Sequence, residues 1–416
     1  MSAGDTAWML VATALVLFMT PGVALFYGGL VRAKNVLAIM MQSFLCISLV
    51  SVAWALFVFS LAFGADAGGG LIGNLGLVGL GHLGGGIPGL GHLHVPPLVY
   101  AAFQMMFAVV TAALITGGSA DRLKLSGFVV FILLWTVVVY GVLAHWVFSP
   151  SGWLAHRGVL DFAGGSVVEI NSGFSALALA LVVGRRRGWP GEAMAPHSVP
   201  ISLLGAGILW FGWFGFNAGS ALGANAVAVQ ALVNTQLAAS AGLLGWLGVE
   251  RLKDGRATTL GAVSGAVAGM VGITAGAGYM GALPALLVGV VSGAAAALAV
   301  RLKFRLGYDD SLDVLGVHGV GGVLGLLFVG VFAARGVDPA ASNGLASGGG
   351  LRLLGEQALA TVVSAVFCFG MSWLLAQLVQ RTIGLRVPPD AEAEGLDLAL
   401  HSESAYSTSG MGRIGR

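Results

Sequence analysis

The sequence has little charge: only 9% of its 416 residues are Asp, Glu, Lys or Arg, whereas 57% are hydrophobic. A soluble core of this length would require many more charged residues at its surface, so the composition excludes an ordinary soluble globular protein. The sequence also has only two cysteines, Cys46 and Cys368. Both lie inside apolar runs, and we expect two buried thiols rather than a disulfide framework.

Signals for nucleic acid binding and for catalysis are missing as well. The net charge of +2 comes from residues in short loops between apolar runs and gives no reason to expect nucleic acid as a partner. There is no P-loop, hydrolase nucleophile elbow or metal-ligand cluster, so we expect neither an enzyme nor a bound cofactor. The glycine-rich loop 64–97 contains His82, His92 and His94. No Cys or carboxylate cluster accompanies its His-x-His pair, so a surface loop is favoured over a metal site.

The sequence does contain eleven apolar runs of membrane-spanning length. They predict an all-α polytopic membrane protein with eleven transmembrane helices, at about 7–30, 36–63, 98–120, 126–148, 162–184, 197–217, 229–250, 258–278, 282–300, 312–333 and 352–380. Many of the 67 glycines recur inside these runs. Since small residues let helix backbones approach closely in lipid, we expect a tightly packed bundle.

Eleven crossings place the two termini on opposite sides of the membrane. All 20 Lys and Arg residues except Arg157, Arg335 and Arg352 then fall on one side. By the positive-inside rule this side is the cytoplasm, so the N-terminus is predicted outside and the C-terminus inside. The chain is therefore assigned to the cell (inner) membrane as a multi-pass protein, with a transmembrane domain over residues 1–381 and a polar cytoplasmic tail over residues 382–416.

Two of the apolar runs share one spacing of polar residues. Asp161 is followed after eight residues by Glu169 in the fifth run, and Asp310 is followed at the same interval by His318 in the tenth. Five spans per half is an odd number, so equivalent halves would be inverted relative to each other in the membrane. We therefore predict inverted five-helix repeats and a final helix, with bounds of about 7–184, 197–333 and 352–380.

Glu169 and His318 are expected to meet inside the bundle. In a continuous helix, eight residues from the acidic cap correspond to about 12 Å, near the middle of a hydrocarbon layer about 30 Å thick. Mutual attraction favours the ionised pair and desolvation favours the neutral pair, so one proton can move between the two side chains at small cost. A proton relay is the functional interpretation, and a structural pair that pins two helices is the alternative.

The chain resembles the ammonium transporter (Amt/Mep/Rh) family over essentially its whole length. The resemblance rests on the segments DTAWMLVATALVLFMTPGVALFYGGLVRAKN (5–35), DRLKLSGF (121–128), LDFAGGSVVEIN (160–171), GWFGFNAGS (212–220), GVHGVGG (316–322) and GLRVPPDAEAEGLD (384–397). It implies the same eleven-helix topology and a function as an ammonium transporter or channel. An ammonium sensor on the same scaffold is the alternative, less favoured because no recognisable output domain follows the last apolar run.

The resemblance also implies roles for individual residues. Phe107 and Phe216 match the stacked phenyl gate under an outer vestibule, and Ser220 matches the hydroxyl that helps to bind ammonium above the gate. Asp161 matches the acidic residue that favours a cation there by capping backbone groups at a helix start. Trp213 matches a pore-wall aromatic residue beside the central pair.

Two positions depart from the commonest family pattern. A histidine usually stands where this chain has Glu169, although some fungal members also have glutamate, and we expect altered pH dependence and looser selectivity. Phe148 stands where the family usually has a vestibule tryptophan, and phenylalanine offers the weaker cation–π face. Trp146 and Trp153 are both candidates to compensate for it.

The resemblance completes the expected mechanism and its partners. Ammonium binds at the outer vestibule and loses a proton, ammonia crosses a hydrophobic pore, and the Glu169/His318 pair relays the proton. The tail segment 384–397 resembles the region that packs under the subunits of a homotrimer and couples to conduction, and a PII-type signalling protein is a possible partner at the cytoplasmic face. For the last dozen residues a solvated, partly disordered end is the alternative interpretation.

Overall fold

The computed structural model describes residues 1–91 and 93–406, and this part of the chain is helical, with isolated β-bridges and no longer strand. Eleven helices form the bundle: α1 Ala3–Leu30, α2 Ala33–Phe63, α3 Pro97–Ser119, α4 Leu125–His156, α5 Gly165–Val183, α6 Val199–Gly219, α7 Ala226–Asp254, α8 Thr259–Thr274, α9 Ala282–Leu306, α10 Leu315–Phe332 and α11 Arg352–Thr382. Two short helices of the tail follow, α12 Pro389–Glu394 and α13 Leu396–His401.

Every predicted span coincides with a helix, so the prediction of an all-α polytopic membrane protein is confirmed. Within the described residues, ten helices are long and apolar enough to cross a membrane. The exception is α8, which has 16 residues instead of the roughly 21 predicted for 258–278. At 1.5 Å per residue it is about 24 Å long, shorter than a typical hydrocarbon layer of about 30 Å. Eleven crossings with the N-terminus outside therefore remain a prediction.

The starts of α5 and α10 differ from the prediction. Both helices begin about three residues later than expected, at Gly165 and Leu315, and both open with a π-helical turn. Glu169 and His318 lie in these opening turns and not two full turns along a regular helix. The estimate of about 12 Å assumed a continuous helix, and loop residues occupy part of each interval of eight, so the depth of the pair in the membrane stays a prediction.

Glycines bring the helix backbones into contact, as expected for a bundle in lipid. The contact of α1 with α6 is an example: a Cβ atom on Gly205 would lie 2.7 Å from the Cα atom of Phe26. The contact of α7 with α9 is another, since a Cβ atom on Gly289 would lie 2.8 Å from the Cα atom of Ala238. Neither position has room for a side chain unless the helices separate.

The described part of the tail folds back against the start of α2. The carboxylate of Asp397 accepts hydrogen bonds from the backbone N–H groups of Leu37 (3.0 Å) and Ala38 (2.8 Å). The Lys34 ammonium donates to the carbonyl oxygens of Ala393 (2.5 Å) and Glu392 (3.3 Å). An acidic residue at a helix start is favourable because the first N–H groups lack partners within the helix. Residues 407–416 of the predicted tail lie outside the described residues.

We expect Gly205→Ala to lower the thermal stability of the purified protein, because the new methyl group meets the backbone of Phe26, and overpacking of this kind costs about 1–3 kcal/mol. The matched control is Gly207→Ala on the same helix, where a Cβ atom meets nothing within 4 Å. This control should be neutral or slightly stabilising, because alanine favours a helix over glycine. The measurement is the melting midpoint in detergent, and equal midpoints for the two variants would contradict the close packing.

Candidate conduction site

The side chains of Glu169 and His318 meet at the centre of the candidate site. The distance between Glu169 Oε2 and His318 Nδ1 is 2.7 Å, which is a hydrogen bond of the kind expected between a carboxylate and an imidazole. Glu169 is fully buried and His318 is 4% exposed. The predicted contact between the two residues is therefore confirmed. The second carboxylate oxygen, Glu169 Oε1, has no hydrogen-bond partner within the described residues.

Close packing of α5 against α10 allows this contact. A Cβ atom on Gly322 would lie 2.8 Å from the Cβ atom of Glu169 and 2.9 Å from the backbone nitrogen of Ile170. A Cβ atom on Gly173 would meet the backbone of Gly319, next to His318. Any larger residue at these glycines would push the two helices apart and lengthen the hydrogen bond. The GVHGVGG motif thus supplies both the imidazole and the space that it needs.

Asp161 holds the start of α5 through four hydrogen bonds. Its Oδ1 atom accepts from the N–H groups of Gly164 (3.0 Å) and Gly165 (2.6 Å). Its Oδ2 atom accepts from the N–H (2.8 Å) and the hydroxyl (2.5 Å) of Ser166. The backbone turns in the left-handed region at Gly164, with φ of +103°, which allows the preceding loop to bring the carboxylate over the helix start. Asp161 therefore caps the helix, as the resemblance implies.

The matching residue before α10 is less fully used. Asp310 Oδ2 accepts a hydrogen bond of 2.8 Å from the N–H of Leu315. Asp310 Oδ1 is buried and has no partner within the described residues. The two acidic residues thus occupy comparable places in the sequence but do not form identical caps.

Aromatic rings of α3 and α6 are stacked on each other, and one of them, Phe216, lines the same cavity as Glu169. The rings of Phe107 and Phe216 have centroids 4.2 Å apart and planes inclined by 9°. Phe148 contacts Phe107 edge-on, with centroids 6.5 Å apart. Trp213 contacts Phe216 at 5.7 Å, and its indole N–H donates to the hydroxyl of Thr274 at 3.0 Å.

The remaining predicted residues lie close to this stack or away from it. The Ser220 hydroxyl donates to the Phe216 carbonyl oxygen at 2.9 Å, so it lies one turn beyond the gate ring. Trp146 packs against Phe367, with centroids 4.5 Å apart, and donates to the carbonyl of Leu71. Trp146 also contacts Trp153 edge-on at 5.7 Å. Of the three aromatic residues considered for the vestibule position, Phe148 packs against Phe107, whereas Trp146 and Trp153 pack against each other.

A narrow cavity runs from the aromatic stack to the buried pair. Its lining is mostly apolar and consists of Met19, Val110, Leu114, Val168, Glu169, Leu209, Trp213, Phe216 and His318. A wider cavity is lined by Tyr27, Asp313 and Val317 among others. His318 lines both cavities.

A group of buried charges, which we call the tail-side network, joins three loops, the start of α2 and the tail near the wider cavity. The Arg186 guanidinium donates to Asp309 Oδ1 at 2.7 Å and lies 3.7 Å from Asp121. Asn35 donates to Asp121 at 2.5 Å and accepts from the N–H of Leu396, at the start of the second tail helix, at 2.9 Å. Sequence reasoning missed this network, although its charges stand at span ends in the DRLKLSGF and RRR segments.

Burial and neighbouring charges shift the pKa values of charged groups in and beside this network. Burial lowers the pKa of Arg122 to about 10, against the attraction of Asp309. Burial alone would raise the pKa of Asp309, but the hydrogen bonds from Arg186 and the nearby charge of Arg122 hold that pKa below its usual value. Asp309 therefore stays ionised and compensates two buried guanidinium groups.

Nothing in the described part of the chain points to a metal centre, because it contains no group of three or more His, Cys, Asp or Glu side chains that could hold an ion. His92, one residue of the glycine-rich loop, lies outside the described residues.

These features define a multi-pass helical membrane protein with a small, mostly apolar cavity that lies between stacked aromatic rings and a buried acid–imidazole pair. A match to the Ammonium Transporter Family extends over residues 7–406, and the chain belongs to that family. It is 48% identical to an ammonium transporter of Mycobacterium tuberculosis, over 97% of this chain and 90% of that protein.

Solved structures agree with this assignment. Mep2 of Saccharomyces cerevisiae has a TM-score of 0.86 and 35% identity, over 94% of this chain and 88% of that chain. A structure described as a sensor Amt protein has a TM-score of 0.86 and 28% identity, over 96% of this chain and 98% of that chain. The curated relative is named a transporter and not an enzyme.

We expect Asp309→Asn to destabilise the protein by about 3 kcal/mol, because removing one partner of a buried ion pair leaves the other charges uncompensated. The control is Asp254→Asn, which breaks the exposed pair with Arg301 and should change stability little. Melting midpoints in detergent provide the measurement. A loss in the control as large as in Asp309→Asn would contradict the proposed importance of burial.

The pH dependence of this contribution follows from the lowered pKa of Asp309. The stabilisation is fully present above the unfolded-state pKa of about 3.9 and is lost as the pH falls through the lower native pKa. The difference between the native protein and Asp309→Asn should therefore be constant at neutral pH and shrink only in strong acid.

Proposed function

We propose that this protein is an ammonium transporter that recruits ammonium at an outer vestibule, removes a proton, and conducts ammonia through the narrow cavity. Phe107, Phe148, Phe216 and Ser220 would form the recruitment site, and Asp161 would support it from the start of α5. The observation that carries the proposal is the Glu169–His318 hydrogen bond at the inner end of an apolar passage. The family membership and the ammonium transporters among the relatives support the same substrate.

Recruitment must favour ammonium over potassium, which has a similar size and the same charge. Aromatic faces and a hydroxyl attract a partly dehydrated cation, with about 0.5–2 kcal/mol for each cation–π contact. Ammonium also has directional N–H donors, and the Ser220 hydroxyl oxygen can accept a hydrogen bond from one of them while its own O–H donates to the Phe216 carbonyl oxygen. Potassium offers no such donor and cannot lose a proton.

The apolar lining beyond the rings acts as a filter. Val110, Leu114 and Leu209 offer no hydrogen bond to a bare cation, which would lose several kcal/mol of hydration on entry. Ammonia loses far less because it is uncharged. The stacked Phe107 and Phe216 rings occupy the entrance, so their side chains must rotate for each passage.

The acid–imidazole pair would carry the proton that ammonium leaves behind. Glu169 Oε1 has an unused acceptor position, and His318 reaches the wider cavity on the other side. An N–H bond of ammonium breaks, the proton binds the pair, and the imidazole side releases a proton to the wider cavity. One proton and one ammonia molecule thus cross for each ammonium ion. The proton moves through the acid–imidazole pair, and the ammonia molecule moves through the apolar cavity.

The glutamate sets this pair apart from two histidines. A carboxylate attracts a dehydrated cation more strongly than a neutral imidazole does, and the free carboxyl and imidazole side chains titrate in different pH ranges. We therefore propose a conduction pathway with altered pH dependence and looser selectivity against potassium.

We expect Glu169→Gln to lose current or lose discrimination against potassium, because the amide cannot accept a proton and then release it. Glu169→His should keep activity with a shifted pH profile, and His318→Ala should lose the relay. The measurement is current on a solid-supported membrane across a pH series, with potassium as the competing ion. Equal behaviour of all four proteins would leave the pair a purely structural role.

A sensor of ammonium is the second candidate function. The observation that favours it is the similarity to a solved structure described as a sensor Amt protein. The same recruitment residues would serve a sensor. Only the movement of ammonium or ammonia across the membrane would distinguish a transporter from a sensor.

We expect the protein to restore growth on low ammonium in a cell that lacks its own ammonium transporters. Transport through the passage predicts rescue, and Glu169→Gln at equal expression is the matched control. No rescue by a well-expressed, correctly inserted native protein would favour the sensor instead.

We further propose that the protein forms a homotrimer in the inner membrane and that a PII-type signalling protein binds its tail side. The hydrogen bonds from Asp397 to the start of α2, and from Leu396 to Asn35, support coupling of the tail to the tail-side network. Light scattering of the purified protein tests the subunit number, and a pull-down under nitrogen-replete conditions that recovers no PII protein would count against this partner.

A further inference from the structure

The loop that carries Asp161 is held by a residue outside the two predicted repeats. Gln357, on the first turns of α11, is fully buried. Its Oε1 atom accepts the N–H of Leu160 at 2.9 Å, and its Nε2 atom donates to the carbonyl of Leu160 at 2.6 Å. The same nitrogen lies 3.4 Å from the carbonyl oxygen of Leu326 on α10. One side-chain amide thus satisfies both backbone groups of a loop residue and links that loop to α10 and α11.

The hydrogen bond to the Leu160 carbonyl fixes the peptide plane that joins Leu160 to Asp161. The other side of the loop is held by α8 and the residue after it, because the N–H groups of Phe162 and Ala163 donate to the carbonyls of Ala275 (2.9 Å) and Thr274 (3.2 Å). Asp161 therefore lies between two anchored peptide groups. From this backbone position its carboxylate reaches all four donors.

We propose that Gln357 is a positioning residue for ammonium recruitment, acting through Leu160 to hold the Asp161 carboxylate against the start of α5. This inference rests on the proposed recruitment function of Asp161. Gln357 touches neither the stacked rings nor the buried pair, and its effect passes through the backbone. Loss of the amide would let the 160–164 loop shift and weaken the four hydrogen bonds of Asp161.

The side chain needs both a donor and an acceptor, which narrows the residue types that can serve. Methionine has the same length without a comparable donor or acceptor, so it would leave the two part-buried backbone groups of Leu160 without these partners. A glutamic acid at this position can accept and donate when protonated but can only accept when ionised. Gln357→Glu should therefore hold Leu160 as glutamine does while its carboxyl is protonated at low pH. Once the carboxyl is ionised at high pH, it should no longer donate to the Leu160 carbonyl.

Glu356, the residue before Gln357 on α11, provides a control because its partner Arg157 lies just before the same loop. It forms a two-point ion pair with Arg157, at 2.7 and 3.0 Å, on the exposed side. Ion pairs at exposed positions contribute little to stability. Glu356→Gln changes the charge at the loop without touching Leu160.

The test is the ammonium concentration that gives half-maximal current, for native protein, Gln357→Met, Gln357→Glu and Glu356→Gln, each reconstituted in the same lipid. We expect Gln357→Met to raise this concentration about tenfold, as for one to two lost buried hydrogen bonds, with a smaller loss of maximal current. Glu356→Gln should match the native protein. Because this position is fully buried and burial disfavours the ionised form, the carboxyl of Gln357→Glu should still be protonated at pH 5. Compared with native protein at each pH, this variant should have a half-maximal concentration close to native at pH 5 and a raised one at pH 8.

Asp161→Asn, alone and combined with Gln357→Met, separates this inference from the proposed function. If Gln357 acts through Asp161, the double variant should be no worse than Asp161→Asn alone. A raised concentration for Asp161→Asn with a native value for Gln357→Met would overturn only the role of Gln357. Native values for Asp161→Asn would overturn the proposed recruitment and this inference together.

A purely structural role predicts a different pattern: lower maximal current and lower melting midpoint with an unchanged half-maximal concentration, and additive effects in the double variant. That pattern would overturn the proposal. If Gln357→Met does not assemble, Gln357→Glu decides alone, since an equal ratio to native protein at both pH values contradicts the need for a donor.

Discussion

A carboxylate buried among apolar helices is unstable unless another group compensates it, and Glu169 satisfies this requirement through one hydrogen bond to His318. The rest of the central structure follows from that contact. The first turns of two helices must face each other, and glycines must occupy the crossing because no side chain fits there. The surroundings must also exclude water. The apolar passage, the stacked rings and the buried pair are therefore one arrangement and not three separate features.

The starts of α5 and α10 show how the loops make this arrangement possible. Each helix begins with a π-helical turn that carries one member of the pair, and each is preceded by an acidic residue that binds its unpaired N–H groups. On the α5 side the carboxylate is fully occupied by four donors, and its loop is held by α8 and α11. On the α10 side one oxygen of Asp310 has no partner within the described residues. The two helix starts thus share a π-helical turn and an acidic cap but differ in how fully the cap is hydrogen-bonded.

Charge is confined to places where partners surround it. Near the wider cavity, Arg186 lies within salt-bridge distance of both Asp309 and Asp121, and Asn35 connects Asp121 to the tail. Such a buried network is costly to disturb, because each removal leaves a charge without compensation. It connects the tail to the loop that precedes α10 through a chain of polar contacts.

The sequence by itself determined the class of the protein, the positions of its helices and the identity of the central pair. These depend on properties that are local or periodic: apolar runs, charge placement, and one interval of eight residues repeated in two spans. The resemblance to a family then pointed to Phe107, Phe216, Ser220 and Phe148, whose contacts the structure shows. Only the tertiary structure decided where α5 and α10 begin, that α8 is short, that Trp146 turns toward Phe367, and that Gln357 and the tail-side charges hold distant loops together. Those features arise from contacts between residues far apart in the chain, such as Leu160 with Gln357 and Arg186 with Asp309, and no local pattern in the sequence encodes which distant partner satisfies a buried polar group.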